Sequence, residues 1–123
     1  MRILIIEDDL KLGALLEQGL REEGFESDWV QDGEEAVVRA LTTDYALLLL
    51  DYMLPKKDGH QVTVELRRAG RRMPILMLTA RDAPEDLREA LAAGVDDLMG
   101  KPFRFGELVD RIRSLTSGQT PAG

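Results

Sequence analysis

The sequence contains no cysteine. That removes disulfides, thiolate zinc sites and cysteine nucleophiles from consideration. There is a single histidine, His60, which reads as a surface residue opening a helix in a polar context. A Gly-rich phosphate loop of the nucleotide-binding kind is missing, which disfavours nucleotide hydrolysis. Long apolar runs are missing too. No stretch approaches the ~20 residues of a membrane span. The opening Met1-Arg2-Ile3-Leu4-Ile5-Ile6-Glu7 turns acidic too soon for a signal peptide. A soluble cytoplasmic protein is the default expectation. Positive charge is also in deficit, with 16 Lys and Arg against 23 Asp and Glu, a formal net charge of −7. Neutralising DNA phosphates needs basic side chains gathered on one face. The overall field has the wrong sign for that. Pairs such as Arg67-Arg68 and Arg71-Arg72 therefore read as helix ends and loops, and any action on DNA is expected from another domain.

What is present fits one globular domain. The chain has 123 residues, 44% hydrophobic and 32% charged, enough to bury a core without staples. Ile3 to Ile6 is a continuous β-branched run, as expected of a strand buried on both faces. Leu12, Leu15, Leu16 and Leu20 recur at helical spacing, and Gly24 supplies a stop. Phe25 to Val30 reads as a more polar strand containing Trp29, whose role reads as packing, and Asp32-Gly33 as a turn. Ala36, Val37, Ala40 and Leu41 mark a helix, Ala46 to Leu50 the strongest strand, and Leu54 to Gly59 a loop. Val62, Leu66 and Ala69 mark the next helix, and Ile75 to Leu78 another strand. Pro84 opens a helix with Leu87, Ala90 and Leu91 on its apolar face and Gly94 at its end. Asp97 to Gly100 is a short strand, and Leu108, Val109, Ile112 and Leu115 stripe the last helix. A domain over 1–116 followed by a tail or linker over 117–123 is expected. Met53, Met73, Met77 and Met99 read as core or loop filler.

Five strands alternating with five helices argue for a parallel sheet covered on both faces. Chemistry in such a sheet sits beyond the carboxyl ends of the strands. There the sequence puts Glu7-Asp8-Asp9, Asp51, Thr79-Ala80 and Lys101-Pro102. Taken singly, Glu7, Asp8 or Asp51 is explained as well by a helix cap or solvated turn as by a ligand. Asp9 reads as an N-cap, and Asp58-Gly59 as turn chemistry. Gathered on one edge, three carboxylates, a hydroxyl and an ammonium read as a site. Like charges this close call for compensation, and Mg²⁺ provides it with oxygen ligands. The lack of nearby His or Cys disfavours zinc. A carboxylate such as Asp51 is also a competent nucleophile toward phosphorus, with Mg²⁺, Lys101 and Thr79 stabilising the transferring group.

The stretches Ile5-Ile6-Glu7-Asp8-Asp9, Leu50 to Gly59, Leu78-Thr79-Ala80-Arg81, and Gly94-Val95-Asp96-Asp97 running to Lys101-Pro102-Phe103 closely resemble the receiver domains of two-component response regulators. They match in order and spacing over residues 2 to about 116. The resemblance implies a flavodoxin-like, doubly wound five-stranded sheet of strand order 2-1-3-4-5. It implies Asp51 as the phosphoacceptor, with phosphate taken from a sensor histidine kinase. It implies Mg²⁺ held directly by Asp8 and Asp51, by Glu7 largely through water, and by the main-chain carbonyl of Met53. Thr79 and Lys101 would bind the phosphoryl group, Ala80 would leave room beside it, and Lys101-Pro102 would be a cis bond. Met53 and Arg81 match positions that tune dephosphorylation, the only chemistry besides its own phosphorylation expected of such a chain. The wording from Gly94 to Ile112 resembles the subclass preceding a winged-helix DNA-binding domain. That subclass dimerises through its fourth helix, fifth strand and fifth helix; Asp97, Glu107 and Arg111 match its charge pairs, with Leu87 at the position of one basic partner.

One departure bears on switching. Leu98 stands where the family usually has an aromatic residue that moves together with the Thr79 position. Leu98 thereby invites a different reading, a degenerate receiver acting only as an interaction module, while the intact set Glu7, Asp8, Asp51, Thr79 and Lys101 argues for phosphorylation. A phosphohydrolase with an aspartate nucleophile would need a second Asp two residues after Asp51, where Met53 stands.

Overall fold

Three apolar runs form the middle of a sheet and two more polar ones its edges. The computed structural model describes residues 1–80 and 84–118, without the side chains of Pro84 and Asp86. Arg81 and most of the expected tail lie outside the described residues. The strands are β1 (Arg2–Ile6), β2 (Glu26–Val30), β3 (Leu47–Asp51), β4 (Ile75–Thr79) and β5 (Asp97–Gly100). The helices are α1 (Leu10–Glu22), α2 (Gly33–Thr42), α3 (Gly59–Arg68), α4 (Pro84–Ala93) and α5 (Phe105–Thr116). All strand pairings are parallel, in the order β2-β1-β3-β4-β5. The parallel sheet is what the alternation of elements predicts, and the strand order is the one the family resemblance implies.

Burial explains the order. Every residue of β3 and β4 is buried, as is all of β1 after Arg2. Strands covered on both faces need apolar side chains at every position. β2 and β5 are only partly buried, and they take the edges. The alternation of side chains then divides the core in two. Leu4, Ile6, Leu48, Leu50, Ile75 and Met77 face α2, α3 and α4, whose Ala36, Val62, Leu66 and Ala90 fill that layer. Ile3, Ile5, Leu47, Leu49, Leu76 and Leu78 face α1 and α5, whose Leu16, Leu20, Leu108 and Ile112 fill the other.

The helix ends follow from short polar side chains. Asp9 accepts from the N–H groups of Lys11 and Leu12 and caps α1. Asp32 caps α2, and Asp58 makes a reciprocal capping box with Gln61 at the start of α3. Asp32-Gly33 and Asp58-Gly59, expected as turns, are thus N-cap and first helical residue. Past α1 and α4 the chain turns through Gly24 (φ 89°) and Gly94 (φ 116°), a region that glycine enters without a Cβ penalty. Apolar spacing overstates burial in places: Leu15 and Leu91 are exposed, while Leu16 and Ala90, on the same helices, are core. His60 is half-buried rather than fully on the surface. Met73, Met77 and Met99 are core, and Met53 is exposed.

Arg67 does not behave as a free surface cation. Its guanidinium donates to the carbonyls of Gly94, Arg71 and Met73 and to the Asp96 carboxylate, at 2.8–3.1 Å. Asp96 in turn accepts from the N–H of Ile75. This staple joins the end of α3 to the starts of β4 and β5. Arg71 pairs with Asp44 at 2.9 Å.

Candidate functional site

The register decides which side chains meet. Ile6 pairs with Leu50, and Asp51 with Leu78, so Glu7 and Asp51 leave the sheet at the same level. Both carboxylates are buried, at 1% and 5% exposure, because they emerge from the apolar core. Asp8, one residue further on, is exposed. One oxygen from each of the three lies within 4.8 Å of the others. Lys101, just past β5, reaches back between the buried pair. Its Nζ lies 3.1 Å from Glu7 Oε1 and 3.1 Å from Asp51 Oδ2.

The backbone fixes these positions. The Lys101 N–H donates to the Thr79 carbonyl at 2.9 Å, tying the lysine to the end of β4. The Lys101-Pro102 bond is cis. The Tyr52 N–H donates to Leu78 O at 2.9 Å, and the Tyr52 carbonyl accepts from Gly59 at 2.8 Å. A Cβ on Gly59 would stand 2.9 Å from the Asp51 carbonyl oxygen, so glycine lets α3 start against the acidic rim. On the other side Asp9 N–H donates to Glu7 Oε2 at 3.1 Å. The Glu7 carbonyl accepts from Trp29 Nε1 at 2.8 Å.

Charge in this buried corner is strongly coupled. Burial pushes the Glu7 carboxyl up from its ordinary 4.5 to about 7; the Asp9 N–H opposes that shift, Asp51 reinforces it, and Lys101 opposes it. For Lys101, burial acts to lower the pKa, but the hydrogen bond and charge of Asp51, then of Glu7, outweigh it and leave the ammonium raised. The corner favours a cation. Its donor set is all carboxylate oxygen, the chemistry of a hard divalent ion such as Mg²⁺ rather than of zinc.

The remaining expected residues fall around this centre. Thr79 ends β4 and is 5% exposed. Met53 and Ala80 are exposed in the adjoining loops. Leu98, in β5 opposite Met77, is half-buried and packs on the α2–α3–α4 side of the core. Asp97 and Arg111 lie 3.0 Å apart within this chain, and Arg111 reaches Glu107 at 3.6 Å. Leu87 is half-buried on α4. Sequence reasoning missed the reach of Trp29 to Glu7. The only trace of it was an indole one residue before the end of an otherwise polar edge strand.

Residues 3–113 match the family described as the response regulator receiver domain. The transcriptional activator protein IrlR of Burkholderia pseudomallei is 50% identical over 115 residues, 94% of this chain and 50% of that protein. The chain thus spans about half the length of such relatives. Among solved structures, the receiver domain of the Francisella response regulator 1452 superposes with a TM-score of 0.90 at 31% identity, covering 94% of this chain and 95% of that one. The receiver domain of sensor histidine kinase PA1611 from Pseudomonas aeruginosa has a TM-score of 0.86 at 36% identity, with 94% and 96% covered. That structure carries a magnesium ion in its active-site cleft. With the five-stranded parallel sheet and the acidic rim in place, the chain belongs to the response regulator receiver domain family.

Proposed function

We propose that Asp51 accepts a phosphoryl group from the phosphohistidine of a sensor histidine kinase, and that this modification switches the domain to control transcription. The observation that carries the reading is the Lys101 ammonium held 3.1 Å from both Asp51 and Glu7 at the mouth of a three-carboxylate cluster. A structural ion pair needs one carboxylate. Three, of which the ammonium can offset one charge, and open on the Asp8 side, suit a cation and a phosphoryl group.

In the proposed step an Asp51 carboxylate oxygen bonds to phosphorus as the phosphorus–nitrogen bond of the donor breaks. The electron pair stays on the departing imidazole, whose other ring nitrogen carries a proton, so that it leaves as the neutral ring of the kinase histidine. Mg²⁺, held by Glu7, Asp8, Asp51 and the Met53 carbonyl, would offset the charge of the phosphoryl oxygens. Lys101, 3.1 Å from Asp51, would move toward a phosphoryl oxygen once the carboxylate is phosphorylated. Thr79 would donate its hydroxyl to another. Ala80, exposed and carrying only a methyl group, would leave room beside the phosphoryl group. No turnover of external phosphoesters is expected, because Met53 stands where a second carboxylic acid would be needed.

The output side of the reading runs through β5. Leu98 follows the Thr79 movement by repacking against α4, and dimerisation uses α4, β5 and α5. The Asp97–Arg111 pair, internal in this chain, would then exchange partners across the dimer, with Glu107 and Leu87 at its margins. DNA contact would belong to a separate domain, in keeping with the net charge of −7, and the resemblance implies a winged-helix type for it. A cytoplasmic setting is part of the same proposal.

The test is incubation with acetyl phosphate, or with beryllium fluoride as a mimic, with and without Mg²⁺, reading intact mass and oligomeric size together. A Mg²⁺-dependent phosphoryl adduct absent from Asp51→Asn is expected. No adduct and no mimic binding would favour an interaction module without phosphorylation.

A further inference from the structure

Trp29 has no part in the chemistry proposed above, yet its indole touches the main chain of that site. The ladder between β1 and β2 ends at the pair Ile6–Val30, and Glu7 is the first residue beyond it. The Glu7 N–H still donates to the Val30 carbonyl, at 3.0 Å. The Glu7 carbonyl accepts from Trp29 Nε1 at 2.8 Å. That carbonyl belongs to the peptide joining Glu7 to Asp8. Bonds to β2 therefore hold Glu7 on both its amide and its carbonyl, and with them the plane from which the buried Glu7 and exposed Asp8 carboxylates diverge.

The indole lies there because position 13 has no side chain. A Cβ on Gly13, in the buried face of α1, would overlap the Trp29 ring. Packing alone explains a half-buried aromatic on the α1 side of the core. It does not by itself require the ring nitrogen to reach the one peptide that carries two adjacent carboxylates of the acidic cluster.

We infer that Trp29 is a positioning residue: its hydrogen bond to the Glu7 carbonyl fixes the Glu7–Asp8 peptide and so sets the geometry in which the two carboxylates take a divalent cation. The inference rests on the reading of Glu7 and Asp8 as cation ligands. Mg²⁺ tolerates little departure from octahedral geometry, whereas Ca²⁺ accepts longer and more varied bonds. A loosened peptide therefore weakens Mg²⁺ more than Ca²⁺, a selectivity change that a loss of packing would not produce.

The experiment replaces Trp29 with benzothienylalanine, which keeps the ring shape and lacks the N–H. MgCl₂ and CaCl₂ are titrated separately into wild type and variant, following the amide resonances of Asp8 and Asp51, with thermal unfolding as a check on the fold. The Mg²⁺ dissociation constant should rise about tenfold, the scale usual for a group that orients a metal ligand, with a clearly smaller rise for Ca²⁺. Gly13→Ala, which displaces the ring with natural residues only, should shift both constants in the same directions. Tyr45→Phe, which removes the 2.7 Å bond from Tyr45 to Asp28 on the opposite face of β2, should change neither. Wild-type Mg²⁺ affinity in the benzothienyl variant, or equal losses for both cations, would overturn the inference. A wild type whose resonances ignore Mg²⁺ would overturn the ligand reading itself, and the inference with it.

Discussion

Neutralising Glu7 should make the metal-free protein more stable at alkaline pH. The side chain is 1% exposed and its carboxyl is pushed from 4.5 to about 7, first by burial and then by Asp51. For an acid whose folded pKa is raised, the folded state holds the proton more tightly than the unfolded chain. The penalty therefore develops as pH rises from 4.5 to about 7 and is complete above that. At ~1.4 kcal/mol per pH unit, this gap is worth on the order of 3 kcal/mol. Glu7→Gln removes it. The amide keeps an oxygen for Lys101, and the opposing pulls of Lys101 and the Asp9 N–H are already contained in the shift. The net expectation is a gain of about 2–3 kcal/mol at pH 8 and only a small one at pH 5, where wild-type Glu7 is already neutral when folded. Urea unfolding in EDTA at the two pH values measures both numbers. Adding Mg²⁺ at pH 8 should then stabilise wild type and leave the variant behind. A variant less stable than wild type at pH 8, or a difference independent of pH, would refute this view of the buried corner.

Three further outcomes follow from the fold. Arg67→Ala strands the carbonyls of Gly94, Arg71 and Met73 and the Asp96 carboxylate, and should cost about 2–4 kcal/mol by urea unfolding; a cost near zero would make Arg67 an ordinary surface cation. Leu49→Ala empties a fully packed position between β3 and the α1–α5 layer and should cost about 2–5 kcal/mol. A double-mutant cycle on Asp97 and Arg111, each about one-third exposed, should return a coupling of about 0.5 kcal/mol or less in the unphosphorylated monomer.

The elements were legible because their signals are local. Short continuous apolar runs at Ile3–Ile6, Leu47–Leu50 and Ile75–Leu78, bounded by polar residues, read as strands buried on both faces, and glycines at 24 and 94 end helices by conformation. The gathering of Glu7, Asp51 and Lys101 was legible for a topological reason, since all three follow strands of a parallel sheet. What escaped was contact set by three-dimensional packing. Nothing local in the Arg67-Arg68 doublet distinguishes the side chain that staples α3 to β5 from its exposed neighbour. The exposure of Leu15 and Leu91 depends on where α1 and α4 sit against the sheet, which helical spacing does not specify. Trp29 read as packing because a hydrogen bond to a main-chain carbonyl leaves no residue-type signature at its acceptor. Gly13, whose missing side chain admits the ring, carries no local signal of that role either.

The most direct measurement on the proposed chemistry is borohydride trapping. Protein treated with acetyl phosphate and Mg²⁺ is reduced with borohydride, which converts an acyl phosphate to an alcohol, and is then digested and sequenced by mass spectrometry. Homoserine at position 51, absent when Mg²⁺ is withheld, is the expected product. Homoserine at Asp8 or another aspartate instead, 5-hydroxynorvaline at Glu7 or another glutamate, or neither alcohol despite a phosphoryl adduct on the intact protein, would contradict Asp51 as the acceptor.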